Sequence, residues 1–133
     1  MRGKIVTVPD ELLDLVTTDR LAHVSSVGER GWLFNHIMWI DWDGEHILVN
    51  SPLGSFKGRS WRADPHAGIS VVDAVNRFRY IQASGRVTDI RPDVGLAQID
   101  RMSRRYDGTD YYDRERERET FVITLDRVRA SLG

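Results

Sequence analysis

From Leu21 onward, short apolar runs alternate with turn signals every eight to twelve residues, and this spacing limits the possible folds more than any other feature. The runs are rich in β-branched and aromatic residues, which favour strands, and Gly, Asp and Asn stand between them. They read LAHVSS, WLFNHIMWID, HILVN, AGISVVDA, FRYIQASGRVTDI and TFVITLDRV. Regular spacing of this kind predicts an antiparallel barrel or sandwich, so the expected fold class is mainly β.

Three helices are predicted around these strands. The first begins at Pro9 in the stretch VPDELLDLVTTDR, and the second covers Ser55–Ala63. The third begins at Pro92-Asp93 and carries apolar residues at helical spacing. In each case a proline, serine or aspartate at the start supplies the usual signal of a helix N-terminus.

The length of 133 residues is that of one ordinary domain, so we expect residues 1–133 to form a single domain. No apolar run reaches the roughly 18 residues of a membrane span, and the N-terminal segment MRGKIVTVPDELL has no apolar signal core. We therefore expect a cytoplasmic protein with no membrane partner. Because the chain has no cysteine, a disulfide, a thiol nucleophile and a cysteine-ligated metal are all excluded.

The charge balance argues against a protein that binds nucleic acid. Nineteen basic and twenty acidic residues give a net charge of −1, so any bound anion must be met by a local group of cations. The four histidines lack the short spacing of a helical zinc pair. We expect neither a nucleic-acid partner nor a metal site.

The dipeptide Asp43-Gly44 predicts a two-residue type I′ turn between two strands. Both faces of the resulting hairpin are largely apolar, so the outer face must be covered by a helix or by another subunit. We favour the subunit, because the patch around Trp39 is too large to leave in water. The predicted pairs are Trp42 with Glu45, Ile40 with Ile47, Met38 with Val49, Ile37 with Asn50, and His36 with Ser51.

After this hairpin the chain reads NSPLGSFKGRSWRADP, a small-residue turn followed by Lys57, Arg59 and Arg62. Free N–H groups and the dipole at a helix N-terminus attract anions, most often phosphate. Lys57 would add a full charge and Arg59 a planar fork. The alternative is that Ser55 only caps a short helix and the basic residues form a solvated face. The spacing matches neither the P-loop nor the dinucleotide-binding glycine fingerprint.

Two further features stand near the C-terminus. The run RERERE, from Arg114 to Glu119, alternates in charge with period two, which predicts a protective edge strand without a catalytic role. Before it stand Tyr106, Tyr111 and Tyr112. These tyrosines either form a lid over a flat ligand or pack over one end of the barrel.

Taken in order, these segments resemble the split β-barrel flavin and deazaflavin oxidoreductases, relatives of pyridoxamine 5′-phosphate oxidase. The resemblance extends from about Leu21 to Val128, and its most specific part is HIMWIDWDGEHILVNSPLGSFKGRSWRADPHAGISVVD. It implies a split β-barrel, FMN-binding-like, of Greek-key antiparallel strands, and a homodimer with a cofactor at the subunit interface. The implied activity is hydride transfer between reduced deazaflavin coenzyme F-420 and a small conjugated or heteroaromatic substrate, with FMN as the alternative cofactor. A non-catalytic carrier and a barrel that has lost its cofactor remain open.

The resemblance also implies the cofactor-binding residues. Ser55 and Lys57 would hold the phosphate, and Asn50 and Ser51 would line the ribityl chain. The edge of the ring would run along His36, Ile37 and Met38, and the acidic tail of the deazaflavin would meet Arg59 and Arg62. A neighbouring strand or subunit would contribute Arg79 and Gln82. Three departures from the family pattern are Phe56 for a frequent arginine, Ile37 for a frequent proline, and Ser60-Trp61 for a frequent Asn-Leu pair. No catalytic residue is assigned, because a flavin-like ring carries the reactive atom itself.

Overall fold

The computed structural model describes residues 6–133, which contain seven strands, three α-helices and three short 3₁₀ turns. The strands are β1 (Ala22–Val27), β2 (Leu33–Met38), β3 (Asp41–Trp42), β4 (Ile47–Pro52), β5 (His66–Val72), β6 (Arg79–Pro92) and β7 (Arg118–Leu132). The helices are α1 (Asp14–Thr17), α2 (Phe56–Ala63) and α3 (Ala97–Asp107). Residues 1–5 lie outside the described residues. They are part of the predicted domain 1–133 and of the N-terminal segment in which no signal sequence is predicted.

The strands form one antiparallel sheet in the order β2-β1-β5-β6-β7-β4-β3. Because β4 returns beside β7, the order β4-β7-β6-β5 is a Greek key. The long strands β6 and β7 pair with register shifts at Ser84/Gly85 and Val87/Asp89. Such bulges bend and twist a sheet, which lets it wrap around a core. The mainly β prediction is confirmed.

A cluster of buried apolar side chains joins α1, α2 and the sheet. Helix α2 is anchored by Trp61, whose ring centre lies 5.1 Å from that of Phe121 in β7. The helix approaches the sheet so closely that a Cβ on Gly58 would lie 3.2 Å from the Phe121 ring. The turn between β4 and α2, where the anion site was predicted, is therefore held against the core.

All three predicted helices are present. The first segment consists of a 3₁₀ turn at Asp10–Leu12 followed by α1, and the second is α2 with Ser55 as its N-cap. The third starts later than predicted, at Ala97, because a 3₁₀ turn intervenes and the Asp93 carboxylate accepts the N–H groups of Gln98 and Ile99 at 2.8 and 2.9 Å. Among the described residues, no helix has the length and apolar character needed to cross a bilayer.

The predicted hairpin register is wrong. Trp42 pairs with Ile47, so the loop has four residues, and β2 pairs with β1 instead of β4. The Asp43 carboxylate stabilises the longer loop by accepting the backbone N–H groups of Glu45 and His46 at 2.9 and 2.6 Å. The chain also leaves the sheet at residues 39–40, which separates β2 from β3.

The predicted edge strand at RERERE is also wrong. Residues 114–117 lie outside the strands, and Arg118 and Glu119 begin β7, which lies between β6 and β4. Both side chains are buried. In this chain the alternating charges of RERERE therefore belong to a loop and to the first two residues of an interior strand.

Candidate cofactor site

The turn after β4 brings Lys57 to the first turn of α2. Gly54 has a φ of +75°, a conformation that favours glycine, and the Ser55 N–H donates to the Pro52 carbonyl at 3.2 Å. The Ser55 hydroxyl then accepts the Gly58 N–H at 3.1 Å, which caps the helix. This geometry is the capped helix start that the sequence predicts.

Lys57 is half-buried, and no carboxylate among the described residues perturbs or pairs with it. Burial, and then the positive charge of Arg118, lower the pKa of Lys57. Burial is also the main cause of the lowered pKa of His36, and the charge of Lys57 adds to it. A cation that is partly withdrawn from water and unpaired is costly, so this corner favours an anion.

Arg118 is the residue that sequence reasoning missed. Its side chain belongs to the first residue of β7, and the residue is only 7% exposed. Its Nε donates to Asn50 Oδ1 at 2.7 Å, and its guanidinium carbon lies 4.8 Å from the centre of the Tyr111 ring. Its buried Nη1 has no partner among the described residues. The available signal was that RERERE runs directly into the apolar strand TFVITL, which draws its last residues into the sheet.

Asn50 fixes Arg118 in this position. Its Nδ2 donates to Asp93 Oδ2 at 2.9 Å and to Thr120 Oγ1 at 3.2 Å, while its Oδ1 accepts from Arg118. Both polar atoms of the amide are therefore used within the chain. The predicted contact between the Asn50 side chain and a ribityl chain would compete with these bonds.

A cavity of about 270 Å³ opens where these groups meet. Its polar wall carries Lys57, Arg118, Asn50 and Ser51, and the Ser51 hydroxyl is buried without a partner among the described residues. The apolar part of the wall consists of Met38, Trp39, Pro52, Ile99, Met102 and Tyr111. Such a combination suits a ligand with an anionic end and a flat or apolar body.

A family model of pyridoxamine 5′-phosphate oxidase matches residues 8–131, which is nearly the whole chain. The chain belongs to this family. The split β-barrel prediction is thereby confirmed.

Three known structures show how far the similarity extends. An F-420 reductase is 29% identical with a TM-score of 0.83, over 92% of this chain and 98% of that chain. A conserved hypothetical protein from Mycobacterium tuberculosis is 22% identical with a TM-score of 0.76, over 98% and 88%. A putative pyridoxamine 5′-phosphate oxidase from Listeria innocua is 14% identical with a TM-score of 0.62, over 84% and 87%. The last two share the fold, and no curated protein matches the chain.

Within this split barrel, more than half of the predicted cofactor-binding residues gather at one corner. They are His36, Met38, Asn50, Ser51, Ser55 and Lys57. Arg59 is exposed on the next turn of α2, where its Nη1 donates to the Gly54 carbonyl at 2.6 Å. Arg62 is engaged with the buried Glu119 through two hydrogen bonds of 2.9 and 2.6 Å. A direct role for Arg62 at an acidic tail would compete with this ion pair.

The other predicted residues lie away from this corner. Arg79 forms an ion pair with Asp14 and donates to the Glu11 carbonyl at 2.6 Å, which ties β6 to the N-terminal helices. Ile37 and Gln82 belong to one row of partners across β2, β1, β5 and β6, so they share a face of the sheet. His36 lies on the opposite face, because its partner in β1 is the buried Val24.

Tyr106 and Tyr111 favour the packing alternative over the lid. Tyr106 stacks on Trp39 at 5.2 Å, and its hydroxyl donates to the Arg20 carbonyl at 2.6 Å and accepts the Ile40 N–H at 3.2 Å. Tyr111 meets Trp39 edge-on at 6.2 Å. Tyr112 is exposed.

Among residues 6–133, no group of three potential ligands is placed to hold a metal ion.

Proposed function

We propose that the chain is an oxidoreductase that transfers a hydride between reduced deazaflavin coenzyme F-420 and a small conjugated or heteroaromatic substrate. One observation carries the proposal: Lys57, which no carboxylate of the described chain neutralises, lines the same cavity as Ser51, whose buried hydroxyl has no partner among the described residues. Family membership supports a flavin-type redox protein. The 29% identity to an F-420 reductase favours the deazaflavin over the alternative, FMN.

The residues present fit the phosphoryl group of either cofactor. Lys57 supplies a full charge, the positive end of the α2 dipole adds to it, and Ser51 has an unused donor. His36 carries a buried Nε2 without a partner in the described chain, and its lowered pKa favours the neutral ring, whose Nε2 can donate or accept one hydrogen bond depending on the tautomer. These groups can bind one anion and orient what is attached to it.

The chain's own task in hydride transfer is to position the bound ring and limit the access of water. When bound, the deazaflavin supplies the hydride chemistry, whereas FMN could also pass single electrons. Met38, Trp39 and Tyr111 provide an apolar wall beside the anion site. Because Tyr106 and Tyr111 pack against Trp39, this wall is held in a fixed orientation.

Equilibrium titration tests the proposal directly. We expect coenzyme F-420 to bind most tightly, FMN less tightly, and riboflavin, which lacks the phosphate, at least about tenfold more weakly than FMN, since it forgoes a charge-assisted contact. Oxidation of reduced coenzyme by a quinone acceptor then tests turnover. Binding without turnover would favour a carrier, and absence of binding by all three compounds would favour a barrel that has lost its cofactor.

We also propose that the protein is a homodimer with a cofactor at the subunit interface. Leu33 and Ile37, 75% and 67% exposed, point outward from the edge strand β2 beside the exposed Trp32, and such a patch favours burial by a second copy. Gln82 shares this outer face, so it could reach a cofactor bound to the other subunit. Sedimentation equilibrium should give twice the chain mass of 15.3 kDa, and a monomer at micromolar concentration would contradict the proposal.

Three predictions from the sequence complete the proposed function. Residues 1–133 would form a single domain, the protein would act in the cytoplasm, and it would have no nucleic-acid partner. Cell fractionation would test the location, and recovery of the protein in a membrane pellet would contradict it.

A further inference from the structure

We propose that Arg118 is the second cation of the phosphate site and that Asn50 is its positioning residue. This inference rests on the proposed function, because it concerns the group that the same cavity would bind. The ligand class is an organic phosphate, and inorganic phosphate is its simplest probe.

The first argument is the isolation of the Arg118 charge. Two nearby arginines are neutralised, Arg62 by Glu119 and Arg114 by Asp100, both at 2.6 Å. Within residues 6–133, no carboxylate forms an ion pair with Arg118, although the residue is 93% buried. An unpaired buried charge costs several kcal/mol in general, so a fold that keeps one gains something in return.

The second argument is the geometry of the guanidinium group. Its Nε donates to Asn50, and its guanidinium carbon lies over the Tyr111 ring at 4.8 Å from the ring centre, so the rotation of the group is restricted. Of its five donors, those on Nη1 are buried and unpartnered in the described chain, at a cavity whose wall also carries Lys57 and Ser51. Two neighbouring cations repel each other, and an oxyanion between them would remove the repulsion.

The third argument concerns Asn50. Its Nδ2 points to Asp93 and Thr120, which leaves its Oδ1 for Arg118. Asp93 is itself fixed, because it caps α3 through the N–H groups of Gln98 and Ile99. Asn50 therefore acts through Arg118, which it holds in the orientation that an anion needs.

The test compares the wild type with Arg118→Gln and Arg118→Lys by thermal unfolding with and without inorganic phosphate, and by titration of coenzyme F-420. We expect Arg118→Gln to lose most of the stabilisation by phosphate and to bind the coenzyme about tenfold more weakly, with Arg118→Lys in between. Without phosphate, Arg118→Gln should melt at or above the wild-type temperature, because it removes an unpaired buried charge. A structural arginine would show the opposite: a lower melting temperature and an unchanged response to phosphate.

Asn50→Asp provides a second variant of nearly equal size. A carboxylate at this position would neutralise Arg118, so we expect the response to phosphate to fall as in Arg118→Gln. It would also repel the Asp93 carboxylate, which now accepts a hydrogen bond from Asn50 Nδ2, so the melting temperature of this variant should fall. Phosphate and coenzyme binding at wild-type strength in both variants would overturn the inference while leaving the proposed function intact. A third outcome is that the wild type binds phosphate but no flavin or deazaflavin, and that the variants lose phosphate binding. This outcome would support Arg118 as an anion ligand and reject the proposed function.

Discussion

Lys57→Ala will weaken binding of the phosphorylated cofactor by about 1–3 kcal/mol, or roughly 5- to 150-fold in Kd, which is the usual effect of deleting one partner of a charged hydrogen bond. The ammonium lies at the cavity, half-buried and without a carboxylate partner in the described chain. Fluorescence titration of coenzyme F-420 or FMN measures the change. The melting temperature should hardly move, because Lys57 forms no ion pair with residues 6–133 that the substitution would break.

Arg59→Ala is the matched control for Lys57→Ala. It removes the same charge from the same helix, but Arg59 is exposed and donates to the Gly54 carbonyl beyond the cavity wall. We expect its effect on FMN binding to be several-fold smaller, because FMN carries the phosphate but lacks the acidic tail that Arg59 was predicted to meet. Equal losses in the two variants would show that only the general field of the helix matters, and unchanged binding in Lys57→Ala would remove the phosphate site.

Asp41→Asn will lower the free energy of unfolding by about 3–5 kcal/mol, because it breaks a buried ion pair and leaves the largely buried Arg105 without its charge partner. Asp41 is only 1% exposed. Its carboxylate accepts hydrogen bonds from Gln98 Nε2 and Arg101 Nε, both at 2.8 Å, and lies 2.6 Å from Arg105 Nη1. These contacts attach α3 to β3, beside the cofactor corner. Urea denaturation measures the loss, and the exposed pair of Asp126 with Arg86 offers the control, since Asp126→Asn should cost at most about 1 kcal/mol.

The Asp41 effect should also depend on pH. Burial alone would raise the pKa of Asp41, but hydrogen bonds from Gln98 and the Trp42 N–H, together with Arg105, hold it below its usual value. The carboxylate therefore stabilises the fold fully above the unfolded-state pKa, near 3.8, and this contribution is lost as the pH falls through the lower folded-state value. The stability difference between the wild type and Asp41→Asn should shrink below about pH 4. A difference that stays constant from pH 7 to pH 3 would contradict this assignment.

The sequence predicted the fold class and helix positions well because those signals are local. Turn residues and apolar runs mark the strands, and Ser55 marks the start of α2 whatever surrounds it. The same reasoning placed Lys57 beside a helix N-terminus. The prediction failed at the Asp43-Gly44 hairpin for two reasons. The Asp43 carboxylate accepts two backbone N–H groups and so stabilises a longer loop. The Tyr106 hydroxyl, 66 residues away in the chain, accepts the Ile40 N–H.

The sequence by itself determined which residues carry charge, that the fold is mainly β with three helices, and that a lysine follows a capped turn. Only the tertiary structure decided which charges are neutralised. The pairing of Asn50 with Thr120 across β4 and β7 brings Asn50 to Arg118, 68 residues away in the chain. The neighbouring Glu119 instead forms an ion pair with Arg62. The physical reason is that the electrostatic cost of a charge depends on its burial and its partners, and both are set by the register of strands distant in sequence.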